Sequence, residues 1–271
     1  MACRGLFVEG QPPQPLPTLD GKPAIALCKF DAIDGNPHGF PVAAIAYDPG
    51  AKLAQWVAYR SDAWMAARTD NPYLEQLGRK EFYRDADLAQ AGIEQQSPGQ
   101  SYGSPWDRGH LLPSEMAQWD PVAWAQSYLA SNVAPQHDAL NQGAWRAMEE
   151  HILTWVARQD GSMLTRPVHI LTGVVYRPGA ARIDKAGRPA IPSHFYKVVI
   201  DWAKGRVLAF AAPNDGSVAR SADFWKLATT LARIEDDLLD GRRLVPGIPE
   251  DWRGQDPNAV GARMHWGRPG S

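Results

Sequence analysis

Two cysteines in 271 residues are too few to build a disulfide scaffold. No stretch approaches the roughly 18 consecutive apolar residues of a membrane-crossing helix, and the opening Met1-Ala2-Cys3-Arg4 lacks the apolar core of an export signal. No membrane partner is expected. Charge of one sign is also missing: 28 Lys and Arg stand against 30 Asp and Glu, a net charge of -2, with no run of five or six basic residues. That balance excludes a basic tail, so any site for a polyanion has to be a local groove assembled by folding. A repeat of fixed period and a linker between two cores are absent as well, which leaves a single mixed domain as the simplest account.

What is present is enough apolar material, 44% of the chain, to bury a full core. Residues 1–24 read as an extended N-terminal arm, Pro- and Gln-rich through Pro17 and lying on the surface. Residues 25–245 read as the folded domain, and 246–271 as a tail packed on it or trailing from it. Cys3 and Cys28 permit one disulfide between the arm and the first strand; two unrelated thiols are the other reading. If bonded, they place the protein in an oxidising compartment, as a mature form of an exported chain.

Pro41 to Tyr47 and Gln55 to Arg60, divided by Asp48-Pro49-Gly50, predict a hairpin. Asp62 to Gly99 is a long polar excursion. Pro121 to Ala130 suits a short helix, and Asp138 to Arg158 a longer one that would pack through Leu140, Ala144, Ala147, Ile152 and Trp155. Val168 to Tyr176, His194 to Asp201 and Arg206 to Ala212 are strand-like and dense in β-branched and aromatic residues, as a buried central sheet requires. Ser221 to Asp237 predicts a further helix capped by Ser221.

The segment richest in chemistry is Trp106-Asp107-Arg108-Gly109-His110, followed by Ser131-Asn132 and by Asn141 through Glu149. On a helix Asn141, Trp145 and Glu149 fall at i, i+4 and i+8, one stripe carrying an amide oxygen and a carboxylate. Such a stripe can hold a hydrated hard cation; magnesium keeps several waters and needs few protein ligands. Each residue also has a plain structural reading: His110 as an ordinary surface or core histidine, Asn141 as a helix N-cap, Glu149 as a solvated helix residue, Trp145 as core. Only their joint order and spacing point to a site.

Those residues resemble the DNA/RNA non-specific endonuclease family, the Serratia-type branch of the ββα-metal or His-Me finger nucleases, which includes endonuclease G. Asp107 to His110 matches the Asp-Arg-Gly-His signature; Ser131-Asn132, Pro135-Gln136, Asn141 to Trp145 and Glu149 match the second block. Trp56 to Tyr59, Thr172-Gly173, and Ile191 to Ser193 with Lys197 are weaker matches, and the likeness runs from about Leu27 to about Asp237. It implies an α+β fold with a central antiparallel sheet flanked by helices and an embedded ββα-metal motif, which would make residues 25–245 the nuclease domain.

The resemblance further implies a magnesium-dependent endonuclease, with manganese or another divalent ion able to substitute, that cuts DNA and RNA to 5′-phosphate and 3′-hydroxyl ends. His110 would be the general base and Asn141 the direct metal ligand, with Glu149 acting on the metal through water. Arg108 would contact the scissile phosphate or pair with Asp107. Asn132 and Gln136 would be polar residues at the substrate. An upstream arginine expected before an aromatic and an Asp has its frame in Phe82 and Asp85, which makes Arg79 the candidate and Lys80 its neighbour. Leu153 departs from relatives that carry a basic residue there. A homodimer and an inhibitor protein are further partners to consider, and secretion or a periplasmic location fits a Cys3–Cys28 bond. Two other readings follow: a toxin of the same chemistry held by an inhibitor, and a non-catalytic nucleic-acid-binding module, which would be expected to lose His110 or Asn141. Both residues are kept.

Overall fold

Near-continuous apolar runs along Pro41–Asp48 and Leu53–Ser61, buried on both faces, make two strands, β2 and β3, antiparallel across the Asp48-Pro49-Gly50 turn. The buried Asp48 carboxylate organises that turn: Oδ1 accepts from Gly50 N at 2.8 Å and Ala51 N at 3.1 Å, and Oδ2 from Tyr176 Oη at 2.7 Å. The computed structural model describes residues 3–31, 40–68, 74, 81–159 and 167–267. β1 (Ile25–Phe30), β2, β3, β6 (Val168–Val175), β7 (His194–Asp201), β8 (Arg206–Pro213) and β9 (Ala228–Thr229) form one antiparallel seven-stranded sheet in that spatial order. A separate two-stranded ribbon joins β4 (Trp106–His110) to β5 (Val133–His137). The fold is α+β, as the resemblance implies.

Both faces of the large sheet are buried. Phe195, Val199, Ile170 and Phe210 face one apolar layer with Trp145, Met148, Ile152 and Trp155 of the long helix. Tyr196, Val198, Ile200 and Leu171 face the other, covered by Leu6, Phe7, Val8, Leu231, Ile234 and Ile248. The N-terminal segment therefore differs from a surface arm: Leu6, Phe7 and Val8 are buried, because among the described residues no long helix covers the second sheet face. Near the other end Trp266 is 2% exposed, packed on Trp155.

The long helix follows β5 directly. It opens at Asp138–Leu140, widens into a π turn over Asn141–Trp145 and continues as Arg146–Ala157. The extra residue of the π turn shifts the register, so the buried set is Ala144, Trp145, Met148, Ile152, Trp155 and Val156, while Ala147, expected inside, is exposed. Ser221 to Asp237 is not one helix. Asp223 caps a 3₁₀ turn at Phe224–Leu227, Ala228–Thr229 pairs with β8, and Thr230 caps a second helical segment. The segment rounds the sheet edge, so Trp225 and Leu227 pack in one layer and Leu231 and Ile234 in the other.

Cys3 and Cys28 are disulfide-bonded, with Cα atoms 5.7 Å apart and 25 positions between them in sequence. Cys3→Ser should lower stability by about 3 kcal/mol, the loop-closure contribution of a link of that span. For a chain of this size that corresponds to a fall in Tm of roughly 5 °C. Calorimetry of the variant against the oxidised parent checks it; an unchanged Tm overturns it.

Candidate active site

Cross-strand pairing in the ribbon sets Gly109 opposite Ala134 and His110 opposite Val133. Gly109 is required there, since a Cβ would stand 2.2 Å from Gln136 Oε1. The chain leaving His110 is pinned by Asn132: Leu111 N donates to Asn132 O at 2.9 Å, Leu112 N to Oδ1 at 2.9 Å, and Nδ2 donates to Leu112 O and Ser127 O. Asn132 and Gln136, expected at the substrate, are 1% and 0% exposed. The first is held by main chain and the second fills the space under Gly109, so both support the strand and neither reaches solvent.

Trp106, Asp107, Arg108 and His110 line one wall of an open cleft of about 450 Å³, and Asn141 and Gln142 line it from the helix, with Phe82, Tyr102 and Tyr128 completing the walls. The His110 ring packs against Phe82 at 5.2 Å and Tyr128 at 5.3 Å, and its Nε2 is shielded without a partner among the described residues. Burial lowers its pKa to about 4, opposed by the nearby Glu115 carboxylate, so the ring is neutral at pH 7. Arg108 does not pair with Asp107 in this structure. Its guanidinium donates to Gln100 O and lies 4.9 Å from the centre of the Phe82 ring.

Asp107 serves the helix instead. Its Oδ2 accepts from Asn141 Nδ2 at 3.0 Å and from Gln142 Nε2 at 2.7 Å. With the amide NH₂ of Asn141 committed to a carboxylate, its Oδ1 is left as an acceptor for a cation. Asn141 is not the N-cap: His137 Nδ1 takes that place, accepting from Ala139 N at 3.3 Å. The π turn carries Asn141 outward, and Gly143 allows it, since a Cβ there would stand 2.4 Å from Arg220 O.

Glu149 lies two turns on, outside the cleft lining, with Oε1 3.1 Å from the Nζ of Lys197. Burial pushes the Glu149 carboxyl up and the Lys197 ammonium pulls it back. Burial alone would lower Lys197, but Tyr59 and Glu149 outweigh it and keep the ammonium charged. Lys197 Nζ also donates to Thr172 Oγ1 at 2.7 Å and Tyr59 Oη at 3.2 Å, which makes it a buried post between sheet and helix. Phe82 reaches the cleft, whereas Asp85 is buried in a network with Lys29 and Ser131, each 2.5 Å away. Arg79 and Lys80 lie outside the described residues.

Asp107 as the holder of two amides, and Arg220, whose Nη1 donates to Gln142 Oε1 at 2.8 Å, did not emerge from the sequence. Asp107 sat inside the signature; Arg220, 78 positions from Gln142, left no local signal.

A family model described as DNA/RNA non-specific endonuclease matches residues 31–245. The chain belongs to that family. It is similar to a mitochondrial nuclease EXOG of Xenopus laevis, 26% identical over 65% of this chain and 52% of that protein. It is 28% identical to human mitochondrial endonuclease G over 63% of this chain and 57% of the relative. The chain thus spans about half the length of these mitochondrial relatives. A nuclease of Serratia marcescens is 28% identical over 74% and 71% of the two chains. The fold of this DNA/RNA non-specific endonuclease family member matches a solved endonuclease G in complex with its inhibitor EndoGI, with TM-score 0.64 and 19% identity, over 86% of this chain and 91% of that one.

Two outcomes test this geometry. The His110 ring should titrate with a midpoint near pH 4, followed by its imidazole proton resonances; a midpoint at 6.5 contradicts the shielded ring. Gly143→Ala should cost about 1–3 kcal/mol by overpacking against the Arg220 main chain, read from a thermal melt. A melt equal to the parent's would show that the π turn has room to give.

Proposed function

We propose that this chain is a divalent-metal-dependent endonuclease that hydrolyses DNA and RNA phosphodiester bonds, leaving 5′-phosphate and 3′-hydroxyl ends. The observation that carries it is that His110 and Asn141, 31 positions apart in sequence, line one cleft and are tied together through Asp107. The donor set fits a hydrated hard ion: Asn141 offers one neutral oxygen, and no group of three or more His, Cys, Asp or Glu among the described residues forms a richer ligand set. Magnesium suits a site that leaves most of its shell to water, and manganese can take its place.

The chain's own residues divide the work. Neutral His110 takes the proton from the attacking water as it approaches phosphorus. Asn141 holds the ion, which when bound stabilises the charge growing on the phosphate and on the leaving 3′ oxygen. Arg108 contacts a phosphate oxygen in this reading, which its seat over Phe82 at the cleft wall supports. Glu149, oriented by its pairing with Lys197, acts on the ion through water in this reading. Arg79, with Lys80 beside it, remains the proposed cation for the developing phosphate charge.

Indifference to sugar and sequence follows if the contacts fall on phosphate, because neither the base edge nor the 2′-hydroxyl is then read. Phe82, Trp106 and Tyr128 around the cleft offer faces on which bases of any identity stack. The Cys3–Cys28 bond supports an oxidising location, secreted or periplasmic, and among the described residues no helix is long and apolar enough to cross a membrane. The matching endonuclease G structure is an inhibitor complex, which supports a second reading in which this nuclease is held by an inhibitor protein in its producing cell.

Plasmid DNA and total RNA incubated with the protein, with magnesium or with chelator, test the reading. Both substrates should be cut with the metal and neither with chelator. His110→Ala should slow cutting by about 10²- to 10⁴-fold while the variant still melts cooperatively as a folded protein. Cutting that survives chelator, or normal turnover by His110→Ala, would sink the proposal.

A further inference from the structure

The loop after β8 is seated on the turn that carries Asn141. Asn214, 2% exposed, accepts from His137 N at 2.7 Å through Oδ1 and donates through Nδ2 to Pro135 O at 3.0 Å and Pro192 O at 2.9 Å. Gly216, at φ 83°, lies so close to His137 that a Cβ would stand 2.7 Å from its Nε2. Farther along, Arg220 O meets the backbone of Gly143 at a distance that leaves no room for a Cβ. These contacts fix the origin of the Arg220 side chain, whose Nη1 then donates to Gln142 Oε1 at 2.8 Å.

That single bond has a directional consequence. A glutamine amide can present either end, but with Oε1 occupied by a guanidinium its NH₂ is the end left for Asp107, where Nε2 donates to Oδ2 at 2.7 Å. The same Oδ2 accepts from Asn141 Nδ2 at 3.0 Å. Arg220, Gln142, Asp107 and Asn141 therefore form one chain of hydrogen bonds ending at the Asn141 amide, which lines the cleft. The position of Arg220 is otherwise unfavourable. It is a cation by the first turns of a long helix, where the macrodipole favours anions, and its ion-pair distance to Asp138 is long, 3.8 Å.

We infer that Arg220 is a positioning residue for the cation-holding amide of Asn141, acting through Gln142 and Asp107. The inference rests on the proposed role of Asn141 as metal ligand. It goes against simple electrostatics: an arginine close to a cation site repels the ion, so its removal should tighten binding if charge alone mattered. Loss of positioning acts in the opposite sense, since removing an outer hydrogen-bond partner weakens a metal site by about tenfold or more.

The test is direct Mn²⁺ binding to the substrate-free full chain, followed by the electron paramagnetic resonance of unbound Mn²⁺, with melts to show that each variant is folded. Asn141→Ala should abolish binding at the site. Arg220→Ala and Gln142→Ala should each weaken it about tenfold. The double variant should be no weaker than the weaker single by more than about twofold, because both break the same relay. Arg146→Ala removes an exposed arginine from the helix that carries Asn141, where it pairs with Glu150, and should leave the affinity unchanged. Unchanged or tighter Mn²⁺ binding in Arg220→Ala overturns the inference, and so do additive losses in the double variant. If Asn141→Ala itself leaves binding intact, the metal-ligand reading fails and the inference falls with it; loss in Asn141→Ala alone overturns only the role of Arg220.

Discussion

A carboxylate oxygen shared by two amides joins the strand half of the cleft to its helix half. Asp107 stands three positions before His110 on β4, and its Oδ2 accepts from both Asn141 and Gln142 of the π turn. An ionised carboxylate only accepts, so it settles which end of each amide turns toward it and which end is offered to the cleft. Hydrogen bonds to a charged group contribute about 1.5–3 kcal/mol each, enough to hold the two elements in one relation. Without that joint, His110 on a strand and Asn141 on a helix would be placed by packing alone.

Packing sets a different register from the one the site needs. The helix from Arg146 onward is committed to the sheet through Met148, Ile152, Trp155 and Val156, all buried. Trp145, 1% exposed and edge-on to Phe195, is committed as well. The π turn over Asn141–Trp145 inserts the residue that lets Asn141 and Gln142 face the cleft while Ala144 and Trp145 face the core. Such turns weaken the regular hydrogen-bond ladder, and here the close seat of Gly143 on the Arg220 main chain compensates. Lys197 anchors the other side of the helix. It is a charge 1% exposed, paired with Glu149 and bonded to Thr172 and Tyr59, on the sheet face shared with Phe195 and Val199. A buried ion pair is weak evidence of stability, but removal of one partner leaves the other charge stranded, so it ties the helix to a single setting.

Local pattern carried much of this. The hairpin at Asp48-Pro49-Gly50 and the strands β6, β7 and β8 were legible because their apolar runs and turn residues are contiguous, and the turn chemistry of Asp48 is written within four positions. The cleft residues on β4 and the start of the long helix were legible through one signature and the spacing of its partner. The π turn was not, since nothing in Asn141 to Trp145 distinguishes a widened turn from a regular one except Gly143, and the pressure on that glycine comes from Arg220 far along the chain. The apparent helix at Ser221 to Asp237 failed for a related reason. Its apolar spacing matches a helix, yet the residues serve two cores on opposite faces of the sheet.

Asn132 and Gln136 show where pattern reading stops at a site. Polar residues next to a signature look alike whether they touch substrate or hold the strand that does. What separates them is whether their hydrogen-bonding groups are spent inside the protein. Asn132 spends its side chain on Leu112 and Ser127, and among the described residues Asn141 spends only its NH₂, on Asp107. The free oxygen of Asn141 is thus a property of the assembled network, reaching back through Gln142 to Arg220, and no residue in that network has the same meaning by itself.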